Sequence, residues 1–150
     1  MAFSLFNFLG FYGKTGAQLI DAADLTKLTN YTMGILSGII ALAGGAQAGS
    51  PVLAYGNNEI DTVVTANDSV QMPPAIAGAF VTINNNGANT TKVYASPAPN
   101  AANASALDQI CIHGTTALTA NATAITVSSG YYTEFTCYVN GVWKQSAAPS

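Results

Sequence analysis

The sequence predicts a mainly β protein. A C-terminal antiparallel β-sandwich or jelly-roll-like domain follows an N-terminal arm and a helical, coiled-coil-like stem. Three observations lead there. From Pro51 onward, short alternating runs recur between Gly, Pro and Asn turn signals. Before them, Leu25, Leu28, Thr32, Ile35, Ile39 and Leu42 follow one another at intervals of 3 and 4, the spacing of a heptad seam. The chain start is crowded with aromatic and aliphatic side chains. The expected division is an arm at 1–20, a helical stem with its Gly/Ala joint at 21–50, and a β-sandwich domain at 51–150.

The arm carries Phe3, Leu5, Phe6, Phe8, Leu9, Phe11 and Tyr12, with Gly10, Gly13 and Gly16 interrupting any regular period. Each such side chain gains about 1.5–3 kcal/mol when buried, so the arm must be covered, either by its own domain or by a groove on another protein. The second arrangement makes Phe3, Phe6, Phe8, Phe11 and Tyr12 an anchor. No basic residue precedes Lys14, so a signal peptide is not expected.

The stem is expected as a helix over 22–43, about 33 Å long at 1.5 Å per residue. Asp21 suits the N-cap, Asp24 the first turn, and Gly44-Gly45 the C-terminal stop. A narrow Leu/Ile stripe wants identical neighbours, and a mixed Ile/Leu seam allows trimers as well as dimers. The competing arrangement is a single core helix lying on the β domain. Tyr31 to Ala48 is apolar, but Gly34, Gly38, Gly44 and Gly45 interrupt it. It also falls short of the ~20 residues a bilayer crossing needs. No membrane partner is expected. Residues 44–50 read as a flexible joint.

Within the β domain, strands are expected at 52–55, 59–65, 69–72, 79–84, 91–95, 109–113, 124–128, 132–139 and 142–145. Pro73-Pro74 cannot continue a ladder. Asn86-Gly87 and Asn140-Gly141 signal hairpins. Trp143 is a large candidate core anchor.

Charged residues make up 7% of the 150, against roughly 25% in ordinary domains. There is no Arg, and the only basic residues besides His113 are Lys14, Lys27, Lys92 and Lys144. Nucleic-acid binding needs clustered cations that neutralise phosphates, so no nucleic-acid partner is expected.

His113 is the only histidine. Cys111, two residues earlier on the same expected strand face, invites a nucleophile–base reading. The plainer reading makes His113 a turn residue before Gly114. One His and two separated Cys do not make a zinc site. Asp61, Asp68, Asp108 and Glu134 are scattered, as strand-end and turn residues would be, although a glycosidase pair needs only nearness in space. No P-loop or dinucleotide fingerprint is present. No catalytic residue, metal site or cofactor is expected. Cys111 and Cys137 read as free thiols in the core, or as a disulfide if their strands are neighbours.

Three blocks carry a resemblance: ALAGGAQAGSPVL, then DSVQMPPAIAGAFVTINNNGANTTKVYASPA, and finally EFTCYVNGVW, with the Cys111–Gly114 turn before the last. In that order they resemble small virion proteins of phages and prophages. The likeness covers roughly two thirds of the chain. The family usually shows Ile-Asn-Gly where this chain has Ile112-His113-Gly114, which favours a turn at His113. The resemblance implies a virion structural component: a capsid decoration (cement) protein, a head fibre or a tail-associated protein, commonly trimeric. The arm would dock on the major capsid protein or another virion protein, the stem would hold three chains together, and the β domain would face outward. Two further readings stay open. One is a tail fibre or receptor-binding component gripping host glycan through Trp143, Tyr131, Tyr132 or Tyr138. The other is a hydrolase using Cys111 and His113.

Overall fold

The computed structural model describes residues 35–97 and 107–146. They form β1 (Ile35–Ile40), β2 (Gly56–Thr62), β3 (Asp68–Gln71), β4 (Phe80–Asn85), β5 (Thr91–Tyr94), β6 (Gln109–Cys111), β7 (Ile125–Val127), β8 (Tyr132–Val139) and β9 (Val142–Gln145). A six-stranded sheet runs in the order β1-β2-β4-β8-β9-β6, and a three-stranded sheet in the order β3-β5-β7.

Alternation decides which side chains turn inward. In β4, Val81 and Ile83 are buried while Phe80 and Thr82 are half-buried on the other face. In β8, Thr133, Phe135 and Cys137 point in. One hydrophobic core takes in Val70, Val93, Ile125 and Val127 from the small sheet and Ile60, Val81, Ile83, Ile110, Phe135 and Trp143 from the large one. Trp143 is its largest fully buried side chain, and its indole N–H donates to the Pro73 carbonyl at 3.0 Å.

Several expectations need correction. The sheets are mixed, not antiparallel: β1/β2, β2/β4, β6/β9 and β3/β5 run parallel, while β4/β8, β8/β9 and β5/β7 run antiparallel. Hydrophobic alternation sets the buried face but is silent on a neighbour's direction. Here β2, β3, β4 and β5 alternate between the two sheets, and each return lays a strand parallel to its predecessor.

Asn86-Gly87 is therefore a crossing between sheets rather than a hairpin, since β4 and β5 lie in different sheets. The Asn85 side chain organises it. Its amide donates to the carbonyls of Asn89 and Val127, both at 2.9 Å, and its oxygen accepts from Gly87 N–H at 3.1 Å. Asn140-Gly141 does make the expected tight turn, with Val139 opposite Val142 and Gly141 at φ +88°.

Ile35 and Ile39 lie on strand β1, not on a helix, and Leu42 forms an isolated bridge with Ser69. The stem therefore does not continue as a helix through 43. Ile35, Ile39 and Ile40 are β-branched, and Gly34 and Gly38 weaken a helix by about 1 kcal/mol each. Pairing with β2 wins over the 3-4 spacing. Gly44 and Gly45, at φ +85° and +67°, turn the chain after this strand instead of ending a helix. Leu25, Leu28 and Thr32 lie outside the described residues, as do Phe3, Phe6, Phe8, Phe11 and Tyr12.

The joint at 44–50 is pinned. Tyr94 Oη donates to the Gly45 carbonyl at 2.8 Å, and the Ser50 and Ser69 hydroxyls lie 2.6 Å apart. Gln47 Nε2 donates to the Ala95 and Asn121 carbonyls at 3.0 and 3.1 Å. Within 52–55 only Val52 bridges, to Gln71, and no strand forms.

Candidate functional site

Among the described residues the sheet edges are not alike. β3 is flanked by two stretches of chain: Leu42 and Ser69 exchange backbone hydrogen bonds at 2.8 and 2.9 Å, while Gln71 N–H donates to Pro51 and its carbonyl accepts from Leu53. β6 is flanked by Leu118 and Thr119, and Thr119 N–H donates to the Ile110 carbonyl at 2.8 Å. β1 ends the order of the large sheet, with β2 as its only ladder partner among the described residues. Ile39 is buried there, but Ile35, Leu36 and Ile40 are 66%, 43% and 63% exposed. A strand with this much outward apolar surface invites a partner.

The β1 backbone is irregular. Gly38 adopts φ +77°, the register shifts on both sides of Ile39, and Gly38 N–H donates to the Asp61 carboxylate on β2. This bulge breaks the even row of donors and acceptors that a further strand would need.

The outward face of the large sheet is a second surface. Across it lie Asn57 of β2, Thr82 of β4, and Tyr132, Glu134, Thr136 and Tyr138 of β8. Thr82 Oγ1 donates to Asn57 Oδ1 at 2.8 Å, and Tyr132 Oη to Glu134 Oε2 at 3.4 Å. Partial burial and then Glu134 push the Tyr132 phenol up. Tyr138 is 73% exposed and Tyr132 42%. Tyr131, just before β8, is exposed too, whereas Trp143 is wholly inside and offers no platform.

The structure separates the groups singled out for chemistry. β6 ends at Cys111, and His113 follows as an exposed turn residue whose backbone N–H donates to Gln145 Oε1 at 3.2 Å. The shared strand face expected for Cys111 and His113 therefore does not exist. Cys111 and Cys137 are both free and buried. β9 lies between their strands, with Trp143 opposite Ile110 and Cys137, and Lys144 opposite Cys111. Two strand spacings, about 9–10 Å, and opposite faces exclude a disulfide.

Asp68 and Asp108 are buried rather than solvated. Asp68 accepts from Thr65 N–H at 2.9 Å, Thr65 Oγ1 at 2.6 Å and Gly44 N–H at 3.2 Å, tying the turn after β1 to the start of β3. The Thr65 hydroxyl, followed by backbone donors, holds its carboxyl below the ordinary value. Asp108 accepts from Ala75 N–H at 2.7 Å. Among the described residues no three His, Cys, Asp or Glu side chains cluster as a metal site would require, and no helix is long and apolar enough to cross a membrane.

No protein-family model, curated protein or solved structure matches this chain. The geometry itself therefore carries the functional reading. Its most distinctive element is β1, whose role as a strand the 3-4 spacing hid. The run of β-branched residues around Gly38 is the signal that could have revealed it.

Proposed function

We propose that this chain is a structural component of a phage virion: a homotrimeric capsid decoration (cement) or head-fibre protein that docks on the shell through its N-terminal region. The carrying observation is β1. An uncharged strand with three exposed apolar side chains stands at the sheet edge, where the chain enters the β domain from a start rich in Phe and Leu. Such a surface suits a protein that spends its life against partners. The domain behind it is internally satisfied: among the described residues every buried side-chain nitrogen and oxygen has a hydrogen-bond partner. The likeness of the three sequence blocks to phage virion proteins supports the same reading. In this reading the partner is the major capsid protein or another virion protein, the location is the capsid surface, and the chain is neither an enzyme nor a cofactor carrier.

Purified particles from cells that produce this chain test the proposal. Mass spectrometry should find the chain at a constant ratio to the shell protein, and immunogold labelling should place it on the head. Particles that lack the chain would overturn the reading. Exposed Tyr132 and Tyr138 favour a second reading, a tail-fibre or receptor-binding component for host glycan. In that case the purified chain should bind defined sugars on an array, Tyr138→Ala should weaken binding, and the label should sit on the tail.

A further inference from the structure

We propose that Asp61 guards the exposed edge of the large sheet. Its carboxylate holds a pair of facing bulges in β1 and β2, and that pair stops further strands from adding to β1.

The register shows the two bulges. Ile35 and Leu36 lie opposite Asn57 and Asn58, Ile39 opposite Ile60, and Ile40 opposite Thr62. Between Leu36 and Ile39, β1 carries one residue more than β2. Between Ile39 and Ile40, β2 carries one more, and that residue is Asp61. The two offsets cancel. Gly38 belongs to the first bulge, and its N–H donates to the Asp61 carboxylate in the second. Bulges are rare between parallel strands, and their extra residue drops out of the ladder. Here a side chain supplies the missing acceptor.

The pair shapes the fold around it. Had the register of Ile35 and Leu36 run on, Gly38 would stand opposite Ile60. The bulge brings Ile39 there instead, and both isoleucines are buried in the core. Both strands then leave the large sheet. Leu42 bridges to Ser69 of β3, and the chain beyond Thr62 returns as β3. Strands that switch sheets commonly do so at a bulge or bend. Gly38 takes φ +77°, and a Cβ there would meet nothing within 4 Å. Glycine is therefore required for the backbone conformation and not for room.

Nothing else on β1 protects the edge. Edge strands are commonly shielded by Lys, by Pro or by a covering segment. β1 reads Ile-Leu-Ser-Gly-Ile-Ile, with neither charge nor Pro, and Ile35, Leu36 and Ile40 are exposed. Among the described residues no chain flanks its far side, whereas β3 and β6 are both flanked. The extra residue offsets the outward donors and acceptors before the bulge from those after it. A straight incoming strand can match only one half.

The full chain tests this as wild type, Asp61→Ala and Asp61→Asn, incubated at rising concentration and read by pelleting, thioflavin fluorescence and fibre diffraction. Asp61→Ala should pass from solution into thioflavin-positive aggregate with a strand spacing of about 4.7 Å, at concentrations that leave wild type soluble. Asp61→Asn loses the same charge but keeps an oxygen for the Gly38 N–H, so it should stay in solution with wild type. Ser37→Lys added to Asp61→Ala puts a charge on the bare edge and should restore solubility; it would not repair a general loss of stability. A folded Asp61→Ala that stays soluble would overturn the proposal. So would Asp61→Asn aggregating equally, failure of Ser37→Lys to rescue, or wild type forming the same fibres. Amide exchange of wild type gives a measurement that needs no variant to fold. The Gly38 N–H should be protected like the amides of the β2/β4 ladder, and free exchange there would overturn the assignment.

Discussion

Tyr55 shows how much one polar tip can organise. Its hydroxyl donates to the Pro74 carbonyl at 2.8 Å, and its ring lies 6.4 Å from that of Trp143, which holds the neighbouring Pro73 carbonyl. Two aromatic donors thus clamp the Pro73-Pro74 corner, where the prolines themselves have no N–H to offer. Burial, then the negative charge of Asp108 and then Cys137, push the Tyr55 phenol up to about 12. In the unfolded chain it ionises near 10. Below pH 10 both states hold the proton and the contribution is fully present. As pH rises through about 12 the folded state loses it too, so stability declines over this window. Urea unfolding at pH 9 and pH 11 should show that decline, and Tyr55→Phe should reduce it. Asp68 has the opposite sign. Its carboxyl is held low, so its contribution is present above the unfolded value and is lost as pH falls through the folded one. None of this was legible in the chain alone. Asp68 in Asn-Asp-Ser reads as a solvated turn, and only the approach of Gly44 and Thr65 makes it a buried tie.

At the scale of elements, two Asn-Gly pairs of the same composition do different work. Asn140-Gly141 joins neighbouring strands, and its left-handed Gly141 supplies the turn. Gly87 does not need positive φ; it needs the absence of a side chain. A Cβ there would stand 2.6 Å from Val63 Cγ2 and 2.7 Å from Val63 N. Gly87→Ala should therefore destabilise the domain by about 1–3 kcal/mol, read from the midpoint of urea unfolding. A hairpin at this position would accept alanine far better. The strands at 132–139 and 142–145 were fully legible because alternation and turn signal agreed. At 35–42 spacing and composition disagreed: the 3-4 steps pointed to a helix, the β-branched residues to a strand. Pairing with β2 decided between them, and a local pattern cannot weigh a partner twenty residues away.

For the whole molecule, the two sheets share one core, so neither has a hydrophobic face to keep if the other leaves. We expect a single unfolding transition in which near-ultraviolet signal from Trp143, far-ultraviolet β signal and thiol exposure coincide. Cys111 and Cys137 are free and buried, so both should react with a thiol reagent only as the domain opens, and reductant should not shift the midpoint. Separate transitions would mean that the small sheet unfolds independently.

Most strand positions from Gly56 onward, the inward faces of β4 and β8, the buried role of Trp143 and the turn at His113 follow from short stretches of residues, because alternation and turn chemistry act within a few positions. The mixed strand directions, the crossing at Gly87, the pinned segment at 44–50 and the strand at Ile35–Ile40 arise only when distant segments meet. Each is settled by a neighbour supplied from elsewhere in the chain, and no local run of residues encodes which neighbour that will be.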